Sequence, residues 1–450
     1  MKTIIKSALC TLLTILLLSP EEATADELVR RLGMTTNSKT IIRHLNNRKD
    51  IVCYNDGCPY FTIYEDGSPT THMIYLNRMY EVNDFEIYDG TIYFCGRYLN
   101  PVSGDAMIGY FDVASFLSPT APVNVSYVAL PSMEVVKAIE VGWFAARKHV
   151  VGIGEGNKAE SIMVDMIDET TYWNVNFGNV GGDTMILSDL AITDSFVVAT
   201  ATKTSSTYFV PTGYLWYFNK TLAPGQDLFS LLATYKQHTG IRGLKYLVLH
   251  LVGDSFVTAY HDLGYINTNP VTLSYFNGLN YDYSLSLDEE AKDSFFLQDI
   301  QKDIPTWTVE VLMSGRYTYP SGSSVKSKII ETPNVYPVPS TAFAHYYDGL
   351  FLTSIDRFSS QTIGYGHFVL SGYDRYHTSH YMKFRLWYFG GSCLSKVEQP
   401  INEKTVEHIE KKRKVDNIHI LQLPEEELAT KKPVSVETMC YHHSPELENE

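Results

Sequence analysis

The sequence predicts an all-β fold, a β-propeller of about six to seven four-stranded blades and at most eight. Three observations predict it: an acidic hairpin signal recurs along the chain, a strand with a common ending follows it, and helical periodicity is nearly absent. The composition agrees, because 32 tyrosines and 21 phenylalanines suit pleated, half-buried strands.

The hairpin signal is an alternating apolar stretch, then Asp followed by Gly or Ser, then a second apolar run. Asp-Gly tolerates the positive φ angles that two-residue hairpin turns require, and Asp-Ser is a weaker form of the same signal. We interpret these aspartates as turn residues rather than catalytic carboxylates, because the same residue recurs at the same place in each copy. The four copies are FEIYDGTIYFCG (85–96), LAITDSFVVATA (190–201), LVGDSFVTAY (251–260) and AHYYDGLFLTSI (344–355), with Asp89, Asp194, Asp254 and Asp348 at the tips.

A third strand follows each hairpin and ends in an aromatic residue next to Asp or Asn. A degenerate copy of the unit covers 138–168, and another begins at residue 51. The stretch between Asn277 and Phe343 has room for one more, for which TWTVEVLMSGRYTYP (306–320) and SSVKSKIIE (323–331) are the expected strands. The clearest strand endings are MIGYFD (107–112), YLWYFN (214–219), TLSYFN (272–277) and FVLSGYD (368–374).

Units of about 50 residues with several short strands are typical of propeller blades, which cover one another's faces when they stack radially. A parallel α/β enzyme would need crossover helices, yet helical periodicity is confined to DELVRRL (26–32) and DEEAKDSFFLQDI (288–300). A pair of β-sandwiches would not explain the repeated hairpin.

The order apolar-x-apolar-x-Asp-Gly-x-apolar-apolar, a loop, and then apolar-x-x-Phe-Asp resembles the blade of NHL-type and related six-bladed propellers. These include exported propellers of Bacteroidetes-like bacteria. The resemblance covers 45–380 and implies the architecture, but no functional residue follows from it, because RYLNPVSGDA (97–106) replaces the loop that such blades carry.

The chain divides into four segments. Residues 1–25 have the layout of a signal peptide, with Lys2 and Lys6 before an apolar run and Ala-Thr-Ala before Asp26. An N-terminal segment (26–44) precedes the propeller (45–425), and an acidic tail (426–450) is expected to be poorly ordered. We expect NIHILQL (417–423) to supply the strand that closes the ring.

Charge and hydropathy limit the partners. The formal net charge of −15 leaves no basic face for nucleic acid, and the basic cluster EKKRK (410–414) is flanked by acids. No apolar run after the signal peptide is long enough to span a bilayer. We therefore expect an exported protein, either periplasmic, at the cell surface or extracellular, that binds no nucleic acid and has no transmembrane segment after signal removal.

The cysteines do not form an obvious disulfide framework. Five remain after signal removal, an odd number, so at least one thiol is unpaired. Cys53 and Cys58 flank Tyr-Asn-Asp-Gly, a turn that would permit a local disulfide, and the alternative is two buried thiols.

The candidate ligand site is the segment 372–389, which is rich in aromatic and polar side chains. Tyrosine rings can stack on sugars, an arginine can pair with an acidic sugar, and a histidine can exchange a proton near neutral pH. The alternative is an ordinary strand pair with alternating side chains. Two histidines three residues apart without a third ligand predict no metal site. The candidate residues are Tyr373, Arg375, Tyr376, His377 and His380.

Function is predicted only broadly. The favoured hypothesis is a non-catalytic scaffold that binds a protein or carbohydrate, with no cofactor, because no motif with a catalytic mechanism occurs in the sequence. The alternative is a carbohydrate-active enzyme, a polysaccharide lyase or glycoside hydrolase, with its site on the channel face.

Overall fold

The computed structural model of the protein describes residues 27–35, 39–46, 48–56, 58–65, 68–98, 106–131, 133–144, 146–156, 161–169, 171–176, 184–204, 212–220, 233–239, 241–262, 271–287, 295–303, 308–319, 322–333, 341–359, 366–385, 395–413, 416–421, 424–433 and 436–442. These residues form β-strands, turns and one short helix, Val113–Leu117 (α1), whose N-terminal N–H of Ser115 is capped by Asp112. The predicted signal peptide, 1–25, lies outside the described residues. No helix in the described part of the chain is long and apolar enough to cross a membrane.

The strands form a seven-bladed propeller, which confirms the predicted architecture. Five sheets hold one blade each, and a nine-stranded sheet holds two. The first strand, Glu27–Thr35 (β1), belongs to the last blade. Blade 1 consists of Ile41–Asn46 (β2), Lys49–Tyr54 (β3), Tyr60–Glu65 (β4) and Ser68–Tyr75 (β5). Blade 2 consists of Met79–Tyr88 (β6), Thr91–Tyr98 (β7), Ala106–Asp112 (β8) and Asn124–Leu130 (β9). Blade 3 consists of Met133–Phe144 (β10), Arg147–Gly156 (β11), Ser161–Ile167 (β12) and Thr171–Asn176 (β13).

The second half of the ring follows the same plan, with the first strand of each blade innermost. Blade 4 consists of Thr184–Ile192 (β14), Phe196–Thr204 (β15), Thr212–Asn219 (β16) and Ala233–Thr239 (β17), and blade 5 of Ile241–Val252 (β18), Ser255–Asp262 (β19), Val271–Asn277 (β20) and Asn280–Leu287 (β21). Blade 6 consists of Phe295–Asp303 (β22), Thr308–Tyr319 (β23), Gly322–Pro333 (β24) and Thr341–Asp348 (β25). Blade 7 consists of Leu350–Ser359 (β26), Gly366–Asp374 (β27), Thr378–Arg385 (β28) and β1. The blade expected in TWTVEVLMSGRYTYP is therefore present as blade 6.

The N-terminal strand closes the ring. β1 pairs antiparallel with β28 as the fourth strand of blade 7, so the first described strand completes the last blade. The prediction that NIHILQL closes the ring was wrong, as was the exclusion of 26–44 from the propeller. Apparent helical periodicity in DELVRRL and in DEEAKDSFFLQDI is overridden by sheet pairing, since 27–35 and 295–303 are both strands.

The C-terminal segment adds a fifth strand to every blade and encircles the ring. We call residues 395–442 the belt. The belt crosses blades 6 and 5 first, then 4, 3, 2 and 1, and ends on blade 7, so it runs opposite to the order of the blades. Its strands continue through 425–442, part of the segment for which the sequence predicted little order. The belt strands are Ser395–Lys404 (β29), Ile409–Arg413 (β30), Asp416–Leu421 (β31), Glu425–Leu428 (β32), Thr430–Pro433 (β33) and Val436–His442 (β34).

The core is divided into seven apolar clusters, one at each junction between neighbouring blades. Blades 1 and 2 share the largest of these, which includes Phe61, Phe85 and Phe111. At the junction of blades 7 and 1 the Tyr64 and Tyr381 rings stack with centroids 4.0 Å apart. Each blade therefore buries its two faces against its neighbours, the physical reason that a repeat of this size requires a closed ring.

Three of the four predicted hairpin aspartates occupy equivalent positions. Asp89, Asp194 and Asp254 lie in the turns between the first and second strands of blades 2, 4 and 5. Asp89 and Gly90 have φ angles of 45° and 74°, as the turn signal requires. Asp348 is different, because it ends β25 and precedes Gly349, the link from blade 6 to blade 7. An Asp-Gly pair marks a sharp reversal in both places, so the sequence does not distinguish the two.

One of the four predicted third-strand endings was wrong. The structure places MIGYFD, YLWYFN and TLSYFN in third strands as predicted, whereas FVLSGYD lies in β27, the second strand of blade 7.

The glycine-rich stretch at 152–156 lies within β11. A Cβ on Gly154 would lie 1.9 Å from the Val135 carbonyl oxygen, opposite a bulge in β10, so the close backbone approach requires glycine there.

Candidate functional site: a charged central channel

A cavity runs through the centre of the ring between the seven inner strands. Its volume is about 630 Å³, and every blade contributes to its wall. The inner strands turn one set of alternate side chains toward this space. Among the described residues, the wall contains no Phe, Tyr or Trp. Its charged or titratable side chains are Lys39, Arg43, His44, Asp84, Glu86, Lys137, Glu140, Asp189, Lys245, His250, Asp299, Lys302 and Asp356.

Aspartates at bulges of the inner strands connect neighbouring blades. In blades 2, 4 and 6 an aspartate follows the bulge and accepts a hydrogen bond from a backbone N–H of the next blade. The bulge turns the carboxylate sideways out of the ladder. These bonds fix the relative positions of the strands that line the channel. The three pairs are Asp84 with Ile139 N (3.2 Å), Asp189 with Val248 N (2.9 Å) and Asp299 with Ile355 N (3.1 Å).

Arg43 pairs with two of the channel carboxylates. Its Nη2 lies 2.8 Å from Asp84 Oδ1, and its Nε lies 2.8 Å from Glu86 Oε1. Burial opposes the guanidinium charge, but the two carboxylates raise the pKa of Arg43 above its ordinary value. Burial raises the pKa of Glu86 to about 7 despite the opposing effect of Arg43. The pair therefore leaves little net charge on this side of the channel.

Glu140 is the exception on the acidic side. Its carboxylate accepts no hydrogen bond from the residues that the structure describes. Burial first, and then repulsion from Glu86 and Asp84, raise its pKa well above the ordinary value. Asp189 lies in the same part of the wall, and burial raises its pKa to about 7. A positive group in the channel would stabilise the ionised form of these carboxylates.

Ammonium groups line other parts of the wall and contact neutral oxygens. Lys245 Nζ lies 3.0 Å from the Gln298 carbonyl oxygen, and Lys302 Nζ lies 2.6 Å from that of Leu251. Burial, followed by repulsion from Lys39, lowers the pKa of Lys245 to about 7. The wall thus offers carboxyl and amino groups whose charged forms a ligand of opposite charge would stabilise.

The channel aspartates of blades 4 and 6 accept backbone hydrogen bonds that hold the blades in place. Among the described residues there is no group of three or more His, Cys, Asp or Glu side chains that could hold a metal ion.

The predicted site segment lies away from the channel. Residues 375–377 form the turn between the second and third strands of blade 7, at the end of the ring opposite the Asp89 turn. Asp374 Oδ1 accepts hydrogen bonds from Tyr376 N (2.8 Å) and Thr378 N (3.0 Å), and these bonds lower the pKa of Asp374 despite its burial. His377 takes a positive φ of 62° in this turn.

The five candidate side chains divide into two groups. The Tyr376 side chain is 64% exposed, and the Arg375 guanidinium lies 4.5 Å from its ring centroid. Tyr373 stacks on His377 with centroids 5.3 Å apart, while His380 is buried with Nε2 3.3 Å from Asp374 Oδ2. None of the five lines the central cavity. The segment therefore brings its aromatic and basic groups to one turn, without a channel carboxylate beside them.

The predicted disulfide is absent. Cys53 and Cys58 are both free thiols. Cys53 is fully buried in the apolar cluster between blades 1 and 2, whereas the Cys58 thiol lies 3.4 Å from the Leu76 carbonyl oxygen. The two side chains enter different surroundings. The alternative of two buried thiols therefore holds for Cys53, whereas Cys58 is only partly buried.

Sequence reasoning missed the channel aspartates, although a signal was present. Asp84 precedes the turn residue Asp89 by five positions in DFEIYD, and Asp189 precedes Asp194 by five in DLAITD. The first aspartate of each pair stands within an apolar strand, where an unpaired carboxylate is costly. That placement indicates a partner outside the strand and so identifies a residue of the inner wall.

Comparisons with known proteins find one structural likeness and no matching family. No protein-family model matches the chain, and no curated protein matches it. Among solved structures, it is similar to the WD40 β-propeller domain of Doa1, with 10% sequence identity and a TM-score of 0.39. The match covers 78% of this chain and 96% of that one. The propeller architecture is shown by the sheet topology of this chain.

Proposed function

We propose that this protein is an exported, non-catalytic scaffold that binds a protein partner through the charged channel of its propeller. The observation that carries the proposal is the composition of the channel wall, where charged side chains from all seven blades surround one cavity. Glu140 has no hydrogen-bond partner among the described residues, so a charged group of a partner can be accommodated there.

A protein partner fits this wall better than a carbohydrate. Sugars are usually bound by stacking on aromatic rings, and no Phe, Tyr or Trp of the described residues lines the cavity. Charged side chains on a loop of a partner would instead pair with the titratable wall groups and stabilise their charged forms, and a rigid ring holds those groups in place before binding. The propeller fold is compatible with this role because it presents loops and a channel on a rigid frame.

Export is supported by the N-terminal sequence. Lys2 and Lys6 precede an apolar run, and small residues at 23–25 precede Asp26. N-terminal sequencing of the protein recovered outside the expressing cell should begin near Asp26. Recovery of an intact N-terminus from the cell interior only would contradict export without affecting the binding proposal.

The binding test uses the full chain and two ligand panels. One panel contains cationic, anionic and zwitterionic peptides, and the other contains neutral and acidic polysaccharides. We expect a thermal shift with charged peptides and no released reducing ends from any polysaccharide. Glu140→Gln and Lys245→Met should reduce the peptide shift, whereas Glu65→Gln, at an exposed pair outside the channel, should not. Released sugar products, or a peptide shift insensitive to both channel variants, would reject the proposal.

A further inference from the structure

The belt has an unusual contact at the place where it passes from blade 5 to blade 4. Residues 405–408 connect β29 to β30 there, and they carry no strand pairing of their own. Val406 is 5% exposed, and the His408 ring lies near Phe276 and Tyr281 of blade 5, with centroids 5.2 Å and 5.3 Å away. This short connection therefore docks between the outer parts of two blades.

A second histidine meets His408 from blade 4. The ring of His238, in β17, lies 5.3 Å from that of His408. His238 is 8% exposed. Its Nδ1 and both ring nitrogens of His408 are buried, and none of the three has a hydrogen-bond partner in the part of the chain that the structure describes. Two imidazoles packed in this way are tolerated only while both are neutral, since a charge on either would be buried beside the other.

The surroundings make protonation still less favourable. Lys236, in β17, opposes a positive charge on His408, and Lys404, at the end of β29, opposes one on His238. Tyr260 and Tyr281 are the neighbouring titratable rings. Two carboxylates lie close by: Glu410 pairs in register with Lys236 and offsets that lysine, and Glu407, which precedes His408, is exposed. No carboxylate among the described residues bonds to either histidine.

We propose that His238 and His408 form an acid-sensitive latch, which holds the belt across blades 4 and 5 at neutral pH and releases it on acidification. Release would hydrate both rings and free β30 from β17, whose outer edge would then be exposed. The latch adds a means of regulation to the scaffold and does not depend on what the channel binds.

The direction of the pH effect follows from the pKa values. Burial, with repulsion from Lys404, lowers the pKa of His238 to about 4, and burial, with repulsion from His238, lowers that of His408 to about 3. In the released belt both return toward about 6.5. Docking of the belt is therefore fully stable above about pH 6.5. Below that pH the equilibrium constant for docking falls, by roughly 30-fold at pH 5 for one histidine.

Hydrogen exchange of the full-length protein tests the latch. Protection factors, corrected for intrinsic rates, would be compared between pH 7.5 and pH 5 for peptides covering 405–413 and for the inner strand β14. We expect the belt peptides to lose protection at least tenfold while β14 keeps its own. Simultaneous loss in both regions would mean general unfolding and would overturn the proposal.

Variants separate the latch from other acid effects. His408→Phe and His238→Phe keep a ring of similar size, so each should reduce the acid transition of the belt and the double variant should remove it, while His408→Lys should release the belt at pH 7.5. His250→Phe is the matched control, because His250 lies in the channel wall away from the belt. Protection of β14 at pH 7.5 reports whether each variant folds. An unchanged belt transition in both phenylalanine variants would show that the histidines do not control it.

Discussion

The Tyr381 hydroxyl of blade 7 donates a hydrogen bond to Asp50 Oδ2 of blade 1 at 2.7 Å, between residues 331 positions apart. The same carboxylate contacts His44 Nδ1 through its other oxygen at 2.6 Å. Asp50 and Tyr381 are both fully buried. The junction where the ring closes is therefore held by a charge-assisted hydrogen bond as well as by stacked rings.

Replacing Tyr381 with Phe should weaken ring closure. The ring stays in place, but Asp50 loses a hydrogen bond to a charged group, which should lower the free energy of unfolding by about 1.5–3 kcal/mol in chemical denaturation. Tyr217→Phe is the matched control, since the Tyr217 hydroxyl is buried without a hydrogen-bond partner among the described residues. Equal stability of the two variants would show that the Tyr381 hydrogen bond does not strengthen ring closure.

The ion pair of Arg357 and Glu310 should be a second determinant of stability. It joins blades 7 and 6, and its side chains are only 5% and 0% exposed. Glu310→Gln leaves a buried arginine without its carboxylate and should cost about 3–5 kcal/mol. Glu65→Gln, at the more exposed pair with Lys49, should cost under about 1 kcal/mol in the same unfolding assay. Equal costs would show that burial does not set the strength of these pairs.

The inter-blade aspartates should matter more than the turn aspartates. Asp189→Ala removes the acceptor for Leu190 N and Val248 N, and should destabilise the protein by about 2–3 kcal/mol. Asp89→Asn should change stability by less than about 0.5 kcal/mol, because asparagine accepts the same positive φ. Thermal or chemical unfolding would compare the two, and a larger loss for Asp89→Asn would contradict this assignment.

Asp189→Asn should also change the pH dependence of stability. The folded pKa of Asp189, raised by burial to about 7, exceeds its unfolded value, so the wild type gains stability as the pH falls from about 7 toward 4. The variant cannot titrate at this position. The free energy of unfolding of the wild type, relative to that of Asp189→Asn, should therefore increase by about 1–2 kcal/mol between pH 8 and pH 4. Water in the channel screens part of the effect. A pH-independent difference would be inconsistent with a raised pKa.

Removal of the belt should expose the outer edge of each blade. A chain ending after residue 394 would lack the fifth strands and leave unpaired N–H and C=O groups on fourth strands such as β17 and β13. We expect it to self-associate in size-exclusion chromatography with light scattering. A chain ending after residue 442 keeps the belt strands and serves as the control. Identical masses per particle would show that the belt does not protect these edges.

The hairpins were predictable because their signals are local. Asp89-Gly90 combines turn residues with flanking apolar strands, and the same pattern located the turns of blades 4 and 5. Asp348-Gly349 has the same local signal and links two blades instead, since a turn motif reports a reversal and not which strands pair afterwards. The candidate segment 373–381 shows the same limit, because its composition gave no indication of the distance from the channel.

The sequence by itself determined that the chain forms antiparallel hairpins in repeated units, and hence a ring of blades, because alternation and turn chemistry act between neighbouring residues. Only the tertiary structure decided how the ring closes, where the belt runs and which carboxylates face the channel. These features depend on pairs such as Thr40 with Thr353, 313 positions apart, and such contacts leave no periodic pattern in either segment. The partner of a late-pairing strand depends on which strand edges remain unpaired once the blades have packed. The local sequence of β1 or of the belt does not specify that partner.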